Sequence, residues 1–485
     1  MIKLSKIISE SKIALDTIGE TASDLATPSV RLGVTGLSRS GKTVFISALV
    51  HNLIAGGRLP LLSAVARGRL EKAYLQPQPD DTVPRFDYET HIGLLAKDRV
   101  WPQSTHQVSE LRLTIEFESA SYLQRKLGRG KLNLDIIDYP GEWLLDLPLL
   151  NQSFKQFSTN ALQRARQHPE LSKDFLELLE KHKGAIDLEA SEEVARQLAK
   201  TFTAYLGKCR GEDHALSMLP PGRFLMPGDM EGSPALTFAP LELKHDAGSA
   251  QAGSLRALME KRYEAYRKYV VRPFFKNHFA KLDRQIVLVD ALQALNAGPA
   301  AVEDLNTALT QILSAFRPGK ASWLASILRH RIDKIVFAAT KADHLQKEDH
   351  DKLQVLLRKL VDGAISRAEF AGASVEVLAL ASVRATRQAT VRQNSHAIPA
   401  LIGVPMPGEV IDNIRFDGNE EAAIFPGDLP EDLESLFRQA QDRQSLKYVR
   451  FRPPELEETA EGFRLSLPHI RLDRALEFLL GDKLS

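Results

Sequence analysis

Eight consecutive residues, Gly36-Leu37-Ser38-Arg39-Ser40-Gly41-Lys42-Thr43, hold two glycines, a lysine and a hydroxyl at the spacing G-x-x-x-x-G-K-[ST]. The glycines let the backbone curl until successive N–H groups point inward and make a nest for an anion. The helix expected to follow adds its positive N-terminal end. In such a loop Lys42 reaches the β- and γ-phosphates of a nucleotide and the Thr43 hydroxyl ligates magnesium. Val44, the first apolar residue of the helix, is counted with these contacts. A plain strand-to-helix turn is the alternative, and the complete match to the fixed positions disfavours it.

A second acidic group follows at Asp138-Tyr139-Pro140-Gly141, a D-x-x-G pattern at the end of the apolar run 132–137. An aspartate at such a strand tip holds magnesium through a water, and the Gly141 N–H senses a γ-phosphate by donating to it. The next residue is Glu142, where a glutamine would orient the attacking water. A carboxylate accepts a proton from water but cannot donate to the transition state, and the γ-phosphate repels it. Slow intrinsic hydrolysis is therefore expected, with catalysis resting on the electrostatics of the loop. Arg39, at the loop's apex, either pairs with Glu142 or phosphate, or points into solvent. A threonine completing the magnesium shell is expected in the stretch 99–105; Thr105 is the choice, with Ser104 and Ser109 as rivals.

The base is read further on. Thr340-Lys341-Ala342-Asp343 matches [NT]-K-x-D. A carboxylate there accepts from guanine N1–H and the N2 amino group, while adenine lacks both donors and leaves it desolvated and unpaired, at about 1–3 kcal/mol. The Lys341 stem would lie over the base, and His344 is placed to touch it. In the run 378–384, backbone N–H groups at Ser382 and Val383 are the candidates for guanine O6, although Val383 and Arg384 depart from the usual Ser-Ala-Lys.

Elements that could carry these residues are visible in the periodicity. Val30, Leu32 and Val34 alternate into a strand that runs into Gly36, and 44–54 reads as a buried helix. Segments 60–76 and 87–98 read as two short helices. The alternating run 111–117 and the run 132–137, joined by a basic turn at 125–131, read as an antiparallel hairpin. Short apolar runs at 286–289, 335–339 and 375–380 suit parallel strands buried on both faces. Between 144 and 282 the pattern is almost wholly helical. The tract 261–279 interleaves basic residues with Tyr263, Tyr266, Tyr269, Phe274, Phe275 and Phe279, which at helical spacing reads as a buried aromatic face. Strand-like segments at 402–407, 409–416, 448–452 and 462–467 and a final helix at 472–480 close the chain.

The expected fold is thus α/β: a P-loop NTPase with a mainly parallel sheet. It divides into an N-terminal amphipathic helix (1–28), a G domain in two parts (29–143 and 283–390), an inserted all-helical domain (144–282) and a small C-terminal α/β subdomain (391–485). The stretches GLSRSGKT, WPQST, DYPGE, TKAD and ALASVRAT, in that order, resemble the YcjX-like family of bacterial P-loop GTPases over nearly the whole chain. That resemblance implies a Ras-like G domain, GTP/GDP binding, a role in stress responses and a protein partner that is a membrane protein.

Composition narrows the alternatives. A net charge of +1 over 485 residues gives no general pull toward nucleic acid or acidic lipid, so no nucleic-acid partner is expected. One cysteine, Cys209, allows no internal disulfide and suits a reducing compartment. The expected location is cytoplasmic, with a peripheral contact at the inner membrane face left open by the helix at 1–28. Two rival functions remain: an ATP-using P-loop enzyme, which Asp343 argues against, and an interaction module that nucleotide merely stabilises.

Overall fold

The computed structural model describes residues 27–37, 39–103, 106–120, 129–211, 214–244, 248–314, 332–370, 372–393, 396–429, 448–456 and 466–485. Ser38, Ser104, Thr105, residues 1–26 of the expected N-terminal helix, and the segments 121–128 and 457–465 lie outside the described residues.

The main sheet has seven strands among the described residues: β1 (Ser29–Gly36), β2 (Leu70–Gln76), β3 (Ser109–Phe117), β4 (Gly130–Asp138), β5 (Arg284–Val289), β6 (Lys334–Ala339) and β7 (Ser374–Ala379). Their order is β2-β3-β4-β1-β5-β6-β7. Strands β4, β1, β5, β6 and β7 run parallel, and β3 is antiparallel to both its neighbours. The fold is therefore mixed α/β around a mostly parallel sheet. The hairpin forms in the register Ser109 opposite Asp138 through Phe117 opposite Gly130.

Both faces of the sheet are buried, as the short apolar runs require. Side chains alternate across a strand, so Ile286, Leu288, Val336 and Ala338 face one apolar cluster while Val287, Val289, Ile335 and Phe337 face another. On the first face lie α1 (Lys42–Ile54) and, from the far end of the chain, a helix at Leu472–Leu480. The second face is covered by helical structure. It begins with an eleven-residue 3-10 helix, Gly141–Asn151, and continues through α2 (Phe154–Gln167), α3 (Pro169–His182), α4 (Glu192–Cys209) and α5 (Leu255–Tyr266). Residues 144–282 thus share one apolar cluster with the sheet. Next come α6 (Ala291–Ala297), α7 (Pro299–Ser314) and α8 (His350–Phe370). Tyr263, Tyr266, Phe274, Phe275 and Phe279 are buried, whereas Tyr269 is exposed, so five of these six rings are unavailable to an external partner. Cys209 is buried too, and burial pushes its thiol up to about 12.

Two sequence expectations are corrected. The stretch 60–76 is not one helix: only Ser63–Ala66 is helical, Gly68 breaks the turn at φ +64°, and Leu70–Gln76 is an edge strand paired with β3. Its Leu, Glu, Lys and Ala residues favour helix locally, but pairing and the burial of Ala73 outweigh that weak preference. The final helix, α9 (Leu472–Leu480), forms where expected but does not belong to a C-terminal α/β unit. Arg284 and Lys334, on the central strands, donate to its Leu479 and Phe478 carbonyls. Leu476 and Leu479 are fully buried, each contributing about 1.5–3 kcal/mol relative to exposure. Among the described residues, what remains of the C-terminal part is a small β unit. Its three-stranded sheet pairs β8 (Arg387–Gln393), β9 (His396–Gly403) and β12 (Ala422–Ile424), and β10 (Val410–Ile411) with β11 (Ile414–Arg415) forms a two-residue hairpin. Within 448–452, Phe451 bridges Pro405. Among the described residues no helix is long and apolar enough to cross a membrane.

Candidate functional site

The site lies where the parallel strands end, the place at which open α/β sheets bind ligands. Strand β1 delivers Gly36 beside Leu288 of β5, and Val34 pairs with Asp138 at the tip of β4, so the loop and the second acidic group are neighbours. The loop's backbone depends on its glycines. A Cβ on Gly36 would sit 2.7 Å from the Leu288 carbonyl oxygen, and Gly41 adopts φ 84° where α1 begins. Arg39 is itself left-handed at φ 62°. The first turn of α1 holds no acidic residue, so its positive end is left for an anion.

These residues open onto a cleft of about 1010 Å³. Of the expected site residues, Arg39, Ser40, Gly41, Lys42, Thr43, Val44, Lys341, Asp343, His344, Ser382 and Val383 line it. Gly36 and Gly141 lie behind it, packed together: a Cβ on Gly141 would fall 1.8 Å from the Gly36 carbonyl oxygen. The Thr43 hydroxyl donates to the Gln103 carbonyl at 3.3 Å, which ties the loop to the segment preceding the undescribed Ser104 and Thr105. Ser109, the other rival, is buried in β3 opposite Asp138.

At the other end of the cleft, Asp343 is only 4% exposed and accepts from the Ala385 N–H at 2.8 Å. Burial raises its pKa to about 6, against the opposing pull of that bond and of the Lys341 and Arg384 charges. Lys341 takes a left-handed conformation, φ 61°, and its ammonium donates to Asp290 at 2.5 Å and to the Tyr448 hydroxyl at 2.9 Å. Burial alone would lower the Lys341 pKa; the Asp290 and Tyr448 oxygens overcome it and raise it, so the charge is held. His344 stacks on Tyr448, ring centres 5.3 Å apart, and meets Phe451 edge-on. Burial brings its pKa down to about 3, so the ring is neutral.

Glu142 has a partner that the sequence did not suggest. Its buried carboxylate pairs with Arg210, at the C-terminal end of α4, at 3.1 Å. The segment carrying it is held by the helical layer. Asp146 accepts from the Gly222 N–H and the Tyr266 hydroxyl, and the Trp143 indole donates to the Met226 carbonyl. On the opposite side, the Trp101 indole donates to the Phe451 carbonyl at 2.6 Å and Arg99 to the Pro453 carbonyl.

Sequence reasoning missed Asp290, Arg210, Tyr448 and Phe451. Asp290 had a signal, since it follows a buried parallel strand at the edge where ligands bind. The others arrive from distant elements and carry no local motif.

A family model described as the YcjX-like family, DUF463, matches residues 30–484. A curated relative from Escherichia coli (strain K12), named "Ras-like GTPase YcjX", is 40% identical over 467 residues, covering 94% of this chain and 96% of its own. Another of the same name, from Shewanella oneidensis, is 34% identical over 480 residues, with 94% of each chain covered.

Proposed function

We propose, for a chain that belongs to the YcjX-like family, that it binds GTP and GDP and hydrolyses GTP slowly as a nucleotide-dependent switch. The name shared by the two relatives described above supports a GTP-binding protein. The observation that carries the finer reading is geometric: the Lys42 loop and the Asp343 carboxylate open onto one cleft, so a single ligand can meet both. The loop's N–H groups and the Lys42 ammonium take the phosphates; Asp343 takes N1–H and N2–H of guanine, with Lys341 held over the base by Asp290.

Thr43, lining the cleft at its phosphate end, and Asp138, at the tip of β4 beside the strand that leads into the loop, are hard oxygen donors, a set that fits magnesium, which keeps one or two protein oxygens and fills its shell from phosphate and water. Bound there, magnesium would neutralise charge on the β- and γ-phosphate oxygens. Thr105 would complete the shell with GTP bound. Glu142 would face the attacking water without being able to donate to the transition state, hence slow turnover. The resemblance of the chain to its family supports a protein partner, a membrane protein, and a stress-linked role; the helical layer and the small β unit, each tied to one side of the cleft, are the surfaces through which such a switch would be read.

Labelled GTP titrated into the purified protein with magnesium should be displaced by GDP at comparable concentration and by ATP only at ~10²-fold excess or more. Equal displacement by ATP would sink the reading.

A pH dependence follows from Asp343. Its pKa in the folded chain, about 6, lies above the 3.8 of an ordinary aspartate. Without nucleotide the folded form binds the proton more tightly, so this group's contribution to stability is present at low pH and lost as pH rises through about 4 to 6. Guanine needs the ionised acceptor, so GDP affinity is expected to fall below pH 6 by up to ~tenfold per unit. Apparent Kd for GDP measured between about pH 5 and 8 checks this. Asp146, also raised to about 6 by burial, titrates in the same range but lies away from the cleft; a flat profile in Asp343→Asn assigns the effect to Asp343.

A further inference from the structure

We infer that Arg210 is a positioning residue of the nucleotide site, a cation that the helical layer supplies to neutralise Glu142 so that a triphosphate can lie beside a buried carboxylate. The inference deepens the guanine-nucleotide reading and rests on it. Three observations carry it. Glu142 directly follows Gly141, whose backbone lies against the Gly36 carbonyl at the base of the phosphate loop, so its charge is placed at the phosphate end of the cleft. Its side chain is 6% exposed and cannot shed that charge into water. It also cannot retreat, because the Glu142 carbonyl is packed against Gly222, where a Cβ would fall 1.8 Å away.

Arg210 meets this carboxylate at 3.1 Å while remaining 21% exposed and lining the cleft. It also shares with Leu37 and Arg39 a small cavity behind the loop. Arg210 thus holds the carboxylate while lining, with Arg39 of the loop's apex, both the cleft and the cavity behind it, and a guanidinium has donors enough for more than one partner. The carboxylate would oppose each added phosphate charge, and the opposition would be greatest for the γ-phosphate. Arg210 removes that opposition and fixes Glu142 at the same time. Because it closes α4, its placement depends on how the helical layer sits.

The test uses the full chain and four variants: Arg210→Ala, Arg210→Lys, Glu142→Gln and the double variant Arg210→Ala/Glu142→Gln. GTP and GDP affinities are read with labelled nucleotides in magnesium, alongside thermal melting. Arg210→Ala should weaken GTP about 30-fold and GDP no more than about threefold, and Arg210→Lys should stay within about fivefold of the parent. Glu142→Gln, which leaves the cation in place, should tighten GTP about fivefold. The double variant should recover most of the GTP affinity lost in Arg210→Ala, which a merely structural role would not produce. Equal losses for GTP and GDP, or a double variant no better than Arg210→Ala, would overturn the inference. If Arg210→Ala does not fold, Glu142→Gln decides by itself: unchanged or weaker GTP binding overturns it. Should the parent prefer adenine nucleotides, the guanine reading fails, yet the triphosphate-to-diphosphate ratio read with ATP and ADP still judges Arg210.

Discussion

Asp343→Asn is expected to move the protein's preference from guanosine to xanthosine nucleotides, with GTP affinity falling about 10²–10³-fold. The Asp343 carboxylate has one oxygen committed to the Ala385 N–H at 2.8 Å. An asparagine keeps that bond with its own oxygen and so turns its amide NH2 toward the base. Guanine then presents N1–H and N2–H to a donor, and two buried donor pairs are left unmet at a combined cost of about 3–4 kcal/mol. Xanthine carries a carbonyl at that edge and accepts from the new amide. The fold around residue 343 should survive, since the side-chain volume is kept and burial already strains the charged form, whose pKa is raised to about 6. Competition among GTP, XTP and ATP for a labelled analogue measures the outcome. Unaltered GTP binding in a folded variant would remove Asp343 from the base site.

Gly141→Ala should reduce single-turnover GTP hydrolysis by about 10²-fold or more. The added Cβ would meet Gly36 O at 1.8 Å, Gly36 C at 2.5 Å and Leu37 N at 3.1 Å. All three are backbone atoms of the phosphate loop, so no flexible side chain can swing aside. Either the loop opens or the 3-10 helix beginning at Gly141 is pushed away from it, and a shift of about 1 Å in a reacting geometry is enough for the stated loss. Stability should fall by about 1–3 kcal/mol, the usual cost of forcing a methyl into a packed place. Thermal melting and a single-turnover assay at saturating GTP separate the two effects. A variant that hydrolyses at the parent rate would mean that this contact is not kept in the reacting state.

How much of this was legible depends on how local each signal is. The loop 36–43 and the run 340–343 are contiguous, and their spacing states the chemistry they would perform. The parallel strands were legible because burial on both faces leaves short unbroken apolar runs, as in 286–289 and 335–339. Arg210 was not, because its relation to Glu142 exists only once α4 has packed into the helical layer. Nor was Tyr448, which reaches Lys341 from 107 positions away. Strand β2 was misread as helix because its residues favour helix until β3 lies beside them. The placement of α9 was hidden for the same reason, since an amphipathic pattern says that one face is covered without saying by what.

The position of α9 has a consequence for how the molecule is assembled during translation. Glu477 accepts from the Ser63 N–H and hydroxyl across 414 positions, and Leu479 from Arg284 across 195. The apolar flank made by α1 and the first strands therefore stays uncovered until residues synthesised far later arrive to close it. Contacts of such high sequence separation form slowly, and a nascent chain waiting for them exposes a surface that chaperones recognise. Competence to bind a ligand at the Lys42 loop should then appear late in synthesis, although the loop itself is among the earliest parts made.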